Sequence, residues 1–125
     1  MVIRVKRAAP LELQIQSSVK NQLRYIAPAV SMVAIPNAAK RGPAAIRQAK
    51  MEGMATGFPD AMFIWDGGLA FIEFKRPGEN PNDNQAEWIK RLSRWGHPVT
   101  VCRSPEEAFA FLASVGAPIS GRIAA

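Results

Sequence analysis

Leu11, Ile15, Val19, Leu23 and Ile26 recur at three- and four-residue intervals, the spacing that lays one apolar stripe along an α-helix. The stripe predicts a helix over about 10–27, opened by Pro10, whose fixed φ and missing N–H suit a first turn. Further on the period shortens. Residues 61–65 (Ala-Met-Phe-Ile-Trp) and 69–74 (Leu-Ala-Phe-Ile-Glu-Phe) are short runs rich in aromatic and β-branched side chains, with Asp66-Gly67-Gly68 between them. Such runs around turn chemistry predict a β-hairpin at 60–66 and 69–75. Gln85, Trp88, Ile89 and Leu92 restore helical spacing and predict a helix at 83–96. Ser104, Pro105 and Glu107 supply an N-cap, an N1 proline and an N3 acid for a helix at 105–115. Weaker patterns place strands near 30–36 and 98–102 and a helix near 42–52. The order predicts an α/β (α+β) fold, a small mixed sheet flanked by helices.

The hairpin has a consequence that holds without knowing its register. A two-residue Gly67-Gly68 turn would put Asp60 opposite Lys75 and Met62 opposite Glu73; a four-residue loop would put Asp60 opposite Glu73. Both keep an odd sum of paired residue numbers, and side chains alternate with period two. Asp60, Glu73 and Lys75 therefore share one face, along with Met62, Ile64, Leu69 and Phe71. Carboxylates among apolar neighbours are costly unless they are paired or bind a cation. Two of them at the end of a sheet supply hard oxygen ligands suited to Mg²⁺ or Mn²⁺, and an amine two residues further on could orient a water or offset charge on a phosphate. The competing explanation is an ordinary cross-strand ion pair between Asp60 and Lys75.

Gly57-Phe58-Pro59-Asp60, then Phe71-Ile72-Glu73-Phe74-Lys75, then Gln85 and Trp88 on a following helix, resemble the virus-type replication-repair nuclease (VRR-NUC) domain, of the stand-alone phage or bacterial type. That domain is a branch of the PD-(D/E)xK nuclease superfamily. Glu-x-Lys alone is a weak signal; the order and spacing of the whole series, running from about Glu12 to Leu112, carry the resemblance. It implies a restriction-endonuclease-like fold and hydrolysis of phosphodiester bonds in DNA. It implies Asp60 and Glu73 as metal-binding carboxylates, aided by the Phe74 carbonyl, with Lys75 as catalytic lysine and Gln85 as the glutamine that marks this branch. Glu12, in the first helix, matches an acid used as a further metal or water ligand. Asn37 and Arg41 resemble a polar loop that usually carries glycines, where this chain has Ala38 and Ala39. Small stand-alone members resemble junction-resolving enzymes, which implies branched, junction or flap DNA as substrate and a homodimer as the working form. A catalytically weak DNA-binding or assembly module is the alternative, since a fold does not guarantee activity.

Local explanations compete for two of these residues. Glu12 could be a first-turn acid favoured by the helix dipole. Asn82-x-x-Gln85 reads as a capping box, though Gln85 also ends the apolar stripe on the side facing the candidate site, so the two roles are compatible.

Charge adds a partner. Residues 1–51 hold nine Lys or Arg against Glu12 alone, a net of +8; the remainder holds seven basic and nine acidic residues, a net of −2, giving the total of +6. A pI near 10.1 with the excess in one half points to nucleic acid, with Lys40, Arg41, Arg47, Lys50 and Arg76 as candidate phosphate contacts. Arg76 opens a breaker-rich loop, Arg76-Pro77-Gly78-Glu79-Asn80-Pro81, that could touch substrate or merely connect elements. No apolar stretch approaches the roughly 20 residues of a membrane span and no signal-peptide pattern opens the chain, so a cytoplasmic location is expected. Cys102, the sole cysteine, rules out an internal disulfide and a cysteine-based zinc site and is expected in a buried strand. His97, in Gly96-His97-Pro98, is expected in a turn. At 125 residues and 48% hydrophobic content one domain is expected over 1–125, with a core over about 10–115 and mobile ends at 1–8 and 117–125.

Overall fold

The computed structural model describes residues 11–36 and 42–120. In chain order it contains α1 (Glu12–Ile26), β1 (Ser31–Ala34), α2 (Pro43–Met51), β2 (Ala61–Trp65), β3 (Gly68–Phe74), α3 (Asp83–Arg94), β4 (Val99–Cys102) and α4 (Pro105–Ser114). The strands lie in the order β1-β2-β3-β4, the first two pairings antiparallel and the last parallel. The fold is therefore mixed α/β, as the patterning predicts. Parallel strands cannot be joined by a tight turn, and α3 supplies the crossover.

Ile15, Val19, Leu23 and Ile26 of α1, with Ala108, Phe109 and Leu112 of α4, pack on the sheet side carrying Ala61, Phe63, Ala70, Ile72, Phe74 and Cys102. Leu11 departs from the expected stripe. It is the N-cap of α1, in extended backbone, and is 52% exposed, because it precedes the first turn that would swing it inward. Alternation along β2 and β3 directs Met62, Phe71 and Glu73 to the other side. There Phe71 meets Phe58 edge-on at 5.5 Å, and Phe58 meets Trp88 of α3 at 5.0 Å, an arrangement that aromatic quadrupoles favour. Ala117 is buried and the Ser120 N–H donates to the Ile26 carbonyl at 2.9 Å, so residues 117–120, expected among the loose ends, lie against α1. The other end segments lie outside the described residues, as do Asn37, Ala38, Ala39, Lys40 and Arg41.

The hairpin turns one residue earlier than a Gly67-Gly68 turn would. Trp65 pairs with Gly68 and Ile64 with Leu69, leaving Asp66-Gly67 in the turn. A Cβ at Gly68 would fall 2.7 Å from the Trp65 ring, so the glycine opposite leaves room for the indole. This register has the same odd sum as the four-residue-loop alternative. Extended by one step from the Ala61–Ile72 pair, it sets Asp60 opposite Glu73.

Candidate active site

The candidate site lies where β2 begins and β3 ends. Main-chain pairing between these strands stops at Ala61–Ile72, and the Asp60 side chain continues it: Oδ2 accepts the Phe74 N–H at 2.8 Å. The Asp60 carbonyl accepts the Ile35 N–H at 2.8 Å, so both sides of this residue are held by neighbouring strands. Asp60 is 9% exposed and Glu73 1%. Burial that deep is costly for a carboxylate without hydrogen bonds. Gln85 of α3 provides one, donating from Nε2 to Glu73 Oε1 at 2.9 Å.

The same glutamine caps α3. Its Oε1 accepts the Asn82 N–H at 2.9 Å, and its own N–H donates to Asn82 Oδ1 at 2.9 Å. The cap fixes which end of the amide is acceptor and so aims the –NH₂ at Glu73. The two roles weighed for Gln85 are thus one geometry. Gly57 makes it possible: its φ is +83°, and a Cβ there would come within 2.7–2.8 Å of Asn84 and of the Gln85 nitrogen. The Gly57-Phe58-Pro59-Asp60 segment can lie against the first turn of α3 only without that side chain.

Lys75 follows β3 directly. Its N–H donates to the Cys102 carbonyl of β4 at 3.0 Å, and its Nζ lies 3.4 Å from Glu12 Oε1 at the start of α1. The Lys75 side chain is 10% exposed and that of Glu12 25%. Lys75 is therefore engaged by Glu12, sixty-three positions away, rather than by Asp60, which the register sets opposite Glu73. Next to this pair Arg76 bonds Glu79, and its guanidinium holds the Glu79 carboxyl below the usual carboxylate range, with Glu12 and Lys75 adding to the effect. Arg103 Nη2 donates to the Glu79 carbonyl at 2.9 Å and to Asn80 Oδ1 at 3.4 Å. This anchor for the 76–82 loop was invisible in the sequence, because it depends on β4 lying beside β3.

Asp60 with Phe74 and Glu73 with Gln85 thus form two hydrogen-bonded pairs joined through adjacent residues of β3, and Glu12 with Lys75 an adjoining ion pair. Arg47 and Lys50 stand exposed on α2 and Arg76 exposed at the rim; Lys40 and Arg41 lie outside the described residues. Among the described residues no group of three or more His, Cys, Asp or Glu side chains is gathered to hold a metal ion. The Asp60–Glu73 pair is an all-oxygen donor set, which fits an ion of the Mg²⁺ type that keeps several waters and takes one or two carboxylates. His97 is exposed in the turn after α3, and Cys102 is buried at 1% exposure with its thiol pushed up to about 12 by burial, Glu107 adding to the shift.

A mixed sheet with two buried carboxylates at the ends of its central strands and a lysine beside them has the form of a PD-(D/E)xK nuclease. The family model described as the VRR-NUC domain matches residues 9–106, and the chain belongs to that family. Its fold is similar to a solved structure described as a VRR_NUC domain protein, at TM-score 0.64 and 19% identity, over 85% of this chain and 88% of that one. No curated protein matches the chain. No helix among the described residues is long and apolar enough to cross a membrane.

Proposed function

We propose that this chain is a Mg²⁺- or Mn²⁺-dependent endonuclease that hydrolyses phosphodiester bonds in DNA and selects branched, junction or flap structures. Membership of a nuclease family supports the general class. The single observation that carries the assignment of the site is the buried Gln85-to-Glu73 hydrogen bond beside Asp60. A carboxylate kept 1% exposed and oriented by a capped amide is arranged for use rather than for surface pairing.

Asp60, Glu73 and the Phe74 carbonyl would hold the ion, with Glu12 at its edge. A divalent ion held there supplies a Lewis acid for the phosphoryl oxygens and an acidified water. The chain's own part is positioning. Phe74 holds Asp60 through its N–H, and Gln85 holds Glu73. Glu12 steadies the Lys75 ammonium, which points the attacking water or offsets the charge that builds on the phosphate. Arg47, Lys50 and Arg76 supply phosphate contacts on either side.

The deciding assay compares wild type, Asp60→Ala and Lys75→Ala on branched, flapped and linear DNA with Mg²⁺, Mn²⁺ or EDTA. Cleavage by wild type alone, abolished by EDTA, is expected. Equal cleavage by all three proteins would reject the site, and equal rates on all three DNA shapes would reject the structural preference. A homodimer with two sites accords with cutting two strands; sedimentation showing only monomer at working concentration would remove it.

A further inference from the structure

A second concave feature shares its walls with the candidate site. Ile35, Pro36, Glu52, Gly53, Met54, Ala55, Phe58 and Trp88 line a cavity of about 400 Å³, within the size range of sites for small organic groups. Two of these residues flank the site directly. Phe58 precedes Asp60 by two positions, and Ile35 bonds the Asp60 carbonyl through its main chain. Trp88 stands on α3 on the same face as Gln85, one turn later.

The wall is apolar and aromatic apart from Glu52, whose carboxylate accepts from Gln48 at 3.1 Å, and Arg91, paired with Glu87, lies beside it. Phe58 touches the Trp88 indole at an interplanar angle of 69°, and the Arg91 guanidinium lies 4.8 Å from the indole centroid. Helix α2, with Arg47 and Lys50 exposed, runs directly into the Met54-Ala55 wall; the Met54 N–H donates to the Ala49 carbonyl at 2.9 Å. An occupant that fits is flat or apolar itself, with negative charge on the side of Arg91 and of the exposed Arg47 and Lys50, away from Glu52. A nucleotide has that distribution, with a π-faced base between two phosphates.

We propose that this cavity binds one unstacked nucleobase of the DNA strand whose phosphate lies at Asp60 and Glu73, with Phe58 and Trp88 as its aromatic wall. The assignment rests on the nuclease proposal for the position of that strand. Pulling a base from a continuous duplex is costly, least where it is already unpaired. The cavity therefore favours cleavage beside a junction, flap or mismatch, which gives the proposed structural preference a physical origin. Hydrogen-bond readout is not required, since every base has a π-face.

The test is an abasic scan on a fluorescein-labelled flap duplex, whose junction fixes the register. A tetrahydrofuran residue replaces one nucleoside at a time on either side of the junction. Affinity is read by anisotropy in EDTA, where cleavage does not intervene. Loss of one stacked base, worth about 1–3 kcal/mol, corresponds to a drop of about 5- to 160-fold at a single position. Ala55→Leu, which fills the cavity, should weaken the intact flap to the level of the abasic one and flatten the scan. Trp88→Phe keeps an aromatic wall and should retain a reduced dip. A flat scan in wild type, an unchanged dip in Ala55→Leu, or no binding at all would overturn the proposal. The same duplexes with Mg²⁺ or Mn²⁺ separate the two claims. A positional dip without cleavage would keep the cavity and reject the nuclease, and cleavage with a flat scan would do the reverse.

Discussion

Gln85→Glu isolates what the amide of Gln85 does at Glu73 from what it does for the helix. The cap requires an acceptor for the Asn82 N–H, which a glutamate supplies. The contact to Glu73 Oε1 at 2.9 Å requires a donor, which an ionised glutamate lacks. Losing a hydrogen bond to a buried charged group costs about 1.5–3 kcal/mol. The substitution also sets two carboxylates against each other at positions 1% (Glu73) and 5% (residue 85) exposed, where water screens little. The new pair relieves the repulsion by keeping a proton, so one of its pKa values rises above the ordinary carboxylate range. A group whose folded pKa is raised contributes stability below its unfolded pKa and loses it as pH climbs through the folded value. The deficit of Gln85→Glu relative to wild type should therefore grow with pH above about 4.3, by up to about 1.4 kcal/mol per unit, until the folded pKa is passed. Gln85→Ala, by contrast, loses the donor and half the cap, the latter worth about 1 kcal/mol, for a total of about 2.5–4 kcal/mol with a flatter pH profile. Urea unfolding of the three proteins at pH 5, 6, 7 and 8 measures these differences. A deficit for Gln85→Glu that is flat across that range, or no deficit at pH 8, would refute the placement of the amide between cap and carboxylate.

The other expectations are more direct. Lys75→Met should lower the cleavage rate by about 10²–10³-fold, the scale for removing one aligned electrostatic stabiliser, while leaving circular dichroism unchanged; steady-state kinetics on the preferred DNA would check it. Gly57→Ala should destabilise by roughly 1–3 kcal/mol, because a side chain is strained at φ +83° and its Cβ would strike the first turn of α3; thermal unfolding reads this, and an unchanged Tm would contradict it. The Cys102 thiol, pushed up to about 12, stays protonated in the folded protein where an unfolded thiol ionises. Stability therefore falls between about pH 9 and 12, by an order of about 4 kcal/mol over the whole window, and the difference between wild type and Cys102→Ala should shrink by that scale across it. Native protein should accordingly react with a thiol reagent only at its opening rate. If about five basic groups meet phosphates, log affinity for DNA should fall with log salt at a slope of roughly −4 to −5; a slope near −1 would mean that the basic half does not face the nucleic acid.

Local geometry explains what was legible in the chain. Helical stripes, the Asn82–Gln85 box and the Ser104 cap act over three or four residues, so spacing alone revealed them. The common face of Asp60, Glu73 and Lys75 followed from alternation, which both odd-sum registers preserve. Gly-Phe-Pro-Asp and Glu-x-Lys, set at that spacing, carried the family. Tertiary structure decided what depends on distant segments meeting. The room that Trp65 needs over Gly68 set the turn, the parallel pairing of β4 with β3 brought Arg103 to the 76–82 loop, and the docking of α1 turned Lys75 toward Glu12. The cavity of Phe58 and Trp88 belongs to the same class, since its walls come from segments that share no period. Hydrogen-bond and side-chain periods are properties of the chain itself, whereas a register, an ion pair across sixty-three positions and a shared wall are chosen by packing among segments that the sequence does not order in space.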